Sequence, residues 1–214
     1  MGLVRAFGLL LLLLAGCATG PRSVPDERAS AWEDNRAQLL ALDEWRADGR
    51  LVVRSPDGGG QAHFTWHENG GDRFSLRLGG PWGQGAARLV GDAGRVELEA
   101  ADGRRFAGPD ARDLLMAVYG WDIPVGALRR WLVGLPTEDA DFALDRFGRV
   151  SSLQWRDWSL EYRRYRQRDG VDLPAVLTAS RDGDGVELRV AVDRWQLGGE
   201  PGPAPESPVP LIGG

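Results

Sequence analysis

The stretch that decides the fold is GRLVVRSPDGGGQAHFTWH, Gly49 to His67. Two short runs with a period of two flank a Pro- and Gly-rich break. In the second run Ala62, Phe64 and Trp66 share one face of a strand, and His63, Thr65 and His67 share the other. Alternation of this kind reads as an antiparallel hairpin with one apolar and one polar face.

The same pattern continues outward. DRFSLRL places Phe74, Leu76 and Leu78 opposite Arg73, Ser75 and Arg77, and AARLVG and RVELEA follow. The separators HENGG, GDAG and ADGRR carry hairpin chemistry. Strands resume with DFALDRFGR, VSSLQW, WSLEYRRY, LPAVLTASR and VELRVAVDRWQL, the last aligning Val186, Leu188, Val190 and Val192 on one face. Between the two sets lies GPDARDLLMAVYGWDIPVGALRRWLVGLP, residues 108–136. It predicts two short helices, the first capped by Asp110, ended by Gly120 and turning Leu114, Leu115 and Val118 inward. Pro124 separates it from the second, marked by Leu128, Trp131 and Leu132 and ended by Gly134 and Pro136. SAWEDNRAQLLAL, residues 30–42, predicts a further helix with Ser30 as N-cap and Glu33 completing a capping box. Trp32, Leu39, Leu40 and Leu42 would form its apolar side.

The expected fold is therefore mainly β with helices, α+β in class: a curled antiparallel sheet of ten or eleven strands, an incomplete barrel closed by an N-terminal helix and two inserted helices. A sheet of that length must curl. Its concave side, capped by helices, makes an apolar cavity of lipid size. Phe64, Trp66, Leu76, Leu78, Leu98, Leu115, Trp131, Leu144, Trp155 and Tyr162 are the residues predicted to line it, with packed core as the competing reading of each.

The chain has 214 residues, is 43% hydrophobic and 27% charged, and carries a formal net charge of −5. All 26 basic residues are arginine, interspersed with the acidic ones. Nucleic-acid binding needs a concentrated positive face, and none is present in the sequence. His63 and His67 stand four apart but on a polar strand face without a cysteine, which reads as two solvated histidines and no metal site. Glu138/Asp139 and Asp182/Asp184 fall in turn-like runs. No GxSxG, P-loop or dinucleotide fingerprint occurs, so no cofactor is called for and no enzyme class is indicated.

The N-terminus reads as processing signal. Arg5 precedes GLLLLLLAG, an apolar run of signal-peptide length, and the run ends Leu14-Ala15-Gly16-Cys17. Cys17 is the only cysteine and has no disulfide partner within the chain. Residues 1–16 are thus expected to be a signal peptide, 17–29 a polar tether whose lipidation at Cys17 is what the lipoprotein-box resemblance of LAGC implies, and 30–197 one domain. Residues 198–214, rich in Pro and Gly, are expected to be a disordered tail. LAGC resembles the bacterial lipoprotein box, in which the cysteine becomes an acylated N-terminus. Ala18 after it resembles the signal for release to the outer membrane.

The LGGPWGQGA stretch, 78–86, puts Trp82 between Pro81 and Gly83 in a turn that neither strand nor helix can continue. An indole suits a bilayer interface, with an apolar body and one polar N–H. Pro81, Trp82 and Gly83 are therefore the candidate membrane-contact and insertion residues.

Taken together, GRLVV at 49–53, FTW at 64–66, LxLxGPWG at 76–83 and GWDIPVGALRRWLVGLP at 120–136 resemble the outer-membrane lipoprotein receptor family LolB. So do FGRVSSLQWRDWSLEYRRY at 147–165, LP at 173–174 and LRVAVDRW at 188–195. The resemblance spans roughly residues 30–197. It implies an outer-membrane-anchored receptor that takes acylated lipoproteins from the periplasmic carrier LolA and inserts them among outer-membrane lipids. It also implies that an apolar residue at the turn of Trp82 is needed for insertion but not for acceptance. The family typically has Leu there, and the tail after Leu197 is extra to its core. A monomer is expected. The alternative from the residues alone is a structural outer-membrane lipoprotein with a packed core.

Overall fold

A computed structural model describes residues 24–56, 58–80, 87–92 and 94–198, with side chains from residue 27 onward. Cys17, Pro81, Trp82, Gly83 and residues 199–214 lie outside the described residues.

The chain begins with α1 (Val24–Leu40), followed by β1 (Glu44–Arg54), β2 (Gly60–Asn69), β3 (Phe74–Gly79), β4 (Ala87–Gly91), β5 (Val96–Glu99) and β6 (Arg105–Gly108). Two helices, α2 (Ala111–Tyr119) and α3 (Val125–Val133), interrupt the strands. The chain then returns through β7 (Asp141–Leu144), β8 (Val150–Trp155), β9 (Trp158–Arg168), β10 (Val171–Arg181) and β11 (Glu187–Leu197). All eleven strands form one antiparallel sheet in the order β6-β5-β4-β3-β2-β1-β11-β10-β9-β8-β7. β6 and β7 are its two free edges, so the barrel is not closed.

The sheet follows from its alternation. In β3 and β4 every second residue is buried, and β2 buries Ala62, Phe64 and Trp66 while His63 and Thr65 face outward. Asp169 and Gly170 both adopt positive φ in the two-residue turn between β9 and β10, the geometry that matches strand twist. Gly49 occupies a register shift where β1 passes β11. A Cβ there would stand 2.2 Å from the Ala191 carbonyl oxygen and 2.8 Å from the Phe64 ring. This close approach is what the glycine of GRLVV supplies.

The helix ends follow the expected chemistry. Asp110 accepts from the Arg112 N–H at 2.7 Å and caps α2. Gly120 (φ 69°) and Gly134 (φ 86°) end α2 and α3 in the left-handed conformation. α1 differs from expectation: it starts at Val24, inside the segment read as tether, and Ser30 lies within it. It buries Trp32 and Leu39 and half-buries Asn35, a single stripe at helical spacing, while Leu40 points to solvent. Asn35 Nδ2 donates to the Gly148 carbonyl at 3.0 Å, tying α1 to the β7–β8 turn.

Curling is visible in what the helices touch. α2 packs on β5 and β6 near one edge, whereas α3 packs on β10, and the two helices touch each other. β5 and β10 are six strands apart in the sheet order. On a flat sheet that is about 29 Å. Two adjacent nine-residue helices reach both only because the sheet bends around them.

Candidate functional site

The inner face of the sheet and the α2–α3 insertion share one apolar cluster. Phe64, Trp66, Leu76, Leu78, Leu98, Leu115, Trp131 and Tyr162 are all buried within it. Leu144 and Trp155 are only half-buried and pack against its margin. Leu144 sits in β7, a free edge of the sheet, and Trp155 closes β8, so neither strand end is covered on both sides.

Aromatic residues gather in two groups within the cluster, one toward each end of the sheet. Trp66 lies 6.2 Å from Trp45 and 5.8 Å from Phe74, centroid to centroid. Trp45 in turn meets Trp195 edge-on at 5.4 Å. Trp131 of α3 stands against Trp155 at 5.8 Å and Trp158 at 5.9 Å. The Tyr162 hydroxyl donates to the Trp131 carbonyl at 3.1 Å, and Tyr165 donates to the Val150 carbonyl at 2.6 Å. Burial pushes both phenols above their ordinary range, so they remain neutral donors.

Polar contacts hold the insertion to the sheet. Asp122, in the link between α2 and α3, accepts from Arg112 of α2 and from Arg181 of β10. The paired guanidinium groups, Arg112 first, hold its carboxyl down at about 2. Arg181 also pairs with Asp184. On the other flank Arg129 of α3 pairs with Glu68, the last inward-facing position of β2. Burial raises the Glu68 carboxyl above its ordinary value against the pull of Arg129. The Arg129 guanidinium also lies over the Phe74 ring, 5.2 Å from its centroid.

Reading the sequence did not single out Asp122, Arg181, Glu68 or Arg129. One signal was present: Glu68 extends the inward series Ala62, Phe64, Trp66, where a carboxylate is out of place unless it is paired.

The polar face carries a groove of about 340 Å³ over β1, β2 and β11, lined by Arg50, Arg54, His63 and Arg189 among others. Arg50 pairs there with Asp193 and Arg54 with Glu187. Among the described residues no group of three or more His, Cys, Asp or Glu could hold a metal ion. No described helix is long and apolar enough to cross a membrane.

An open, curled antiparallel sheet with helices over its concave face is a fold shared with solved structures of other proteins. A LolA superfamily protein from Nitrosomonas europaea superposes with a TM-score of 0.53, covering 82% of this chain and 95% of that one at 12% identity. A putative outer-membrane lipoprotein-sorting protein domain from Vibrio parahaemolyticus gives 0.53 over 82% and 93% at 10% identity. These likenesses concern the fold. Sequence narrows the class further. Residues 43–195 match the family described as outer membrane lipoprotein LolB. The outer-membrane lipoprotein LolB of Pseudomonas paraeruginosa is 35% identical over 191 residues, 87% of this chain and 92% of that protein. The chain belongs to the LolB family of outer-membrane lipoproteins, which is not a known enzyme family.

Proposed function

We propose that this protein is an outer-membrane-anchored receptor that accepts acylated lipoproteins from a LolA-type periplasmic carrier and inserts them among outer-membrane lipids. The observation that carries the reading is a continuous apolar inner face on a sheet that stays open at β6 and β7. A sheet evolved only to pack could close; one with two free edges can spread. The insertion that covers this face shares its apolar cluster and is also paired with the sheet at Asp122–Arg181 and Arg129–Glu68. In this reading acyl chains displace part of α2 and α3 and take their place against Phe64, Trp66, Leu76, Leu78 and Leu98.

The energetics need no coupled reaction. Three chains of about fifteen carbons hold about 30–40 kcal/mol of apolar burial at ~0.8 kcal/mol per CH₂. Free desorption is therefore very slow, whereas passage from one apolar face to another and then to a bilayer never exposes the full area. Direction requires only differential affinity. The protein performs no bond-breaking step in this scheme. It is held by acyl chains on Cys17, acts as a monomer, and touches the bilayer through Trp82 with Pro81 and Gly83. A structural lipoprotein that binds no acyl chain is not favoured by membership of the LolB family.

The test mixes an unanchored form with a lipoprotein-loaded carrier and follows the lipoprotein by size and by pull-down. Transfer of the lipoprotein to the unanchored form is expected. A lipoprotein that stays on the carrier at every ratio of the two proteins overturns the reading.

A further inference from the structure

Two buried hydrogen-bond donors in the insertion have no partner among the described residues: the Trp131 indole N–H and the Tyr119 hydroxyl. This is uncommon, since more than about nine in ten buried polar groups in folded proteins are satisfied. It also contrasts with two other tryptophans of the cluster. The Trp195 indole donates to the Pro174 carbonyl at 3.0 Å, and the Trp66 indole to Glu68 at 3.4 Å. A third unpaired atom, the Thr137 hydroxyl oxygen, follows α3.

The neighbours of both side chains lie at the same end of the sheet. Trp131 is fully buried, and its ring meets Trp155 and Trp158, which close β8 and open β9. Tyr119 lies 5.6 Å from Trp121, which in turn covers Gly60, the first residue of β2. Antiparallel pairing puts the end of β8, the start of β9 and the start of β2 at one end. β3 ends and β4 begins at that end too, so the connection carrying Trp82 leaves from it.

From this arrangement we infer that Trp131 and Tyr119 are hydrogen-bond donors to the ester carbonyls of the diacylglycerol group on the incoming lipoprotein. The inference rests on the acyl-binding reading above and adds what the site recognises in addition to hydrocarbon. An indole N–H can only donate, and an ester carbonyl can only accept. A diacylglycerol brings two such carbonyls, and burying them unpaired is costly. Each orphaned donor at this end of the apolar face can take one such carbonyl. The acyl tails run from there along the inner face, with the glycerol held at the end where β3 ends and β4 begins.

The experiment compares dioctanoylglycerol with di-O-octylglycerol, which has the same chain length but no carbonyls, as competitors for a fluorescent fatty-acid probe. Wild type is expected to favour the ester. Trp131→Phe and Tyr119→Phe are each expected to lower the ester-to-ether affinity ratio by about threefold to tenfold, the usual worth of one hydrogen bond. Affinity for the ether should change little. A wild type that shows no preference for the ester overturns the inference and leaves the acyl-binding reading standing. Displacement by neither compound overturns both. A Trp131→Phe protein that folds and keeps the full ratio removes Trp131 from the site. If that variant does not fold, the wild-type ratio and Tyr119→Phe decide.

Discussion

Asp122 sits between Arg112 and Arg181, one guanidinium from α2 and one from β10. It therefore joins the helix that covers one edge of the sheet to a strand on the other half. Its depressed carboxyl sets a sign for the pH dependence. Asp122 is charged in the fold down to about pH 2, against an ordinary value of 3.8. The stability it contributes is present above about pH 4 and is lost as the pH falls through its folded value. In urea melts at several pH values, Asp122→Asn should be less stable than wild type at pH 7. The gap between the two should narrow from pH 4 to pH 2. A gap that does not change with pH would show that the carboxylate charge is not what Arg112 and Arg181 hold.

Gly49→Ala should destabilise the sheet, because the added methyl meets the Ala191 carbonyl oxygen, which belongs to the backbone and cannot swing aside. A loss of about 3 kcal/mol is expected, the upper range for overpacking. For a domain of this size that lowers the melting temperature by about 6–12 °C. Gly79→Ala serves as the control, since nothing stands within 4 Å of its missing Cβ. Equal melting temperatures for the two variants would rule out the close approach.

Cys17→Ala should give a folded protein recovered from the periplasmic fraction without detergent. α1 begins seven residues after the anchor and does not need it to pack Trp32 and Leu39. Recovery of this variant with membranes, or in an unfolded form, would count against lipidation at Cys17.

Trp82→Glu should fold with an unchanged melting temperature and still take the lipoprotein from its carrier. It should then fail to release it into liposomes, and Trp82→Leu should restore release. A melting temperature lowered by the equivalent of about 3–5 kcal/mol, with normal release per folded molecule, would mark Trp82 as a buried aromatic of the fold.

Much of the fold was legible because alternation is a local property. Phe64, Trp66, Leu76 and Leu78 announce their face within four residues of themselves, and Asp110, Gly120 and Gly134 announce helix ends by their own backbone preferences. β6 was harder: Arg105–Gly108 is four residues long, and reads as part of a turn. The start of α1 was also missed. Ser30 with Glu33 has the form of a capping box, but Pro25 and the residues after it are compatible with a first helical turn, so the helix continues upstream to Val24. The candidate site was legible as a face but not as a set of contacts. Leu144 and Trp155 fit the alternation, yet they lie at the margin because strand order, which no local pattern encodes, puts β7 and β8 last. The pairing of Asp122 with Arg181 joins residues far apart in the chain and depends on the bend of the whole sheet.

The strand order also dictates when the domain can become complete. β1 and β11 are neighbours at the middle of the sheet, Trp45 pairing with Leu197, while β1–β6 and β7–β11 are each joined by short local connections. Each half can assemble as its own meander soon after it emerges, because its contacts are close in sequence. The central seam cannot form until the last strand has arrived. A chain threaded through a membrane N-terminus first therefore stays divided, with β1 paired to β2 on one edge and unpaired on the edge that β11 will take, until nearly all of it has crossed. The delay makes the interval before β11 arrives the period in which aggregation or proteolysis competes with folding.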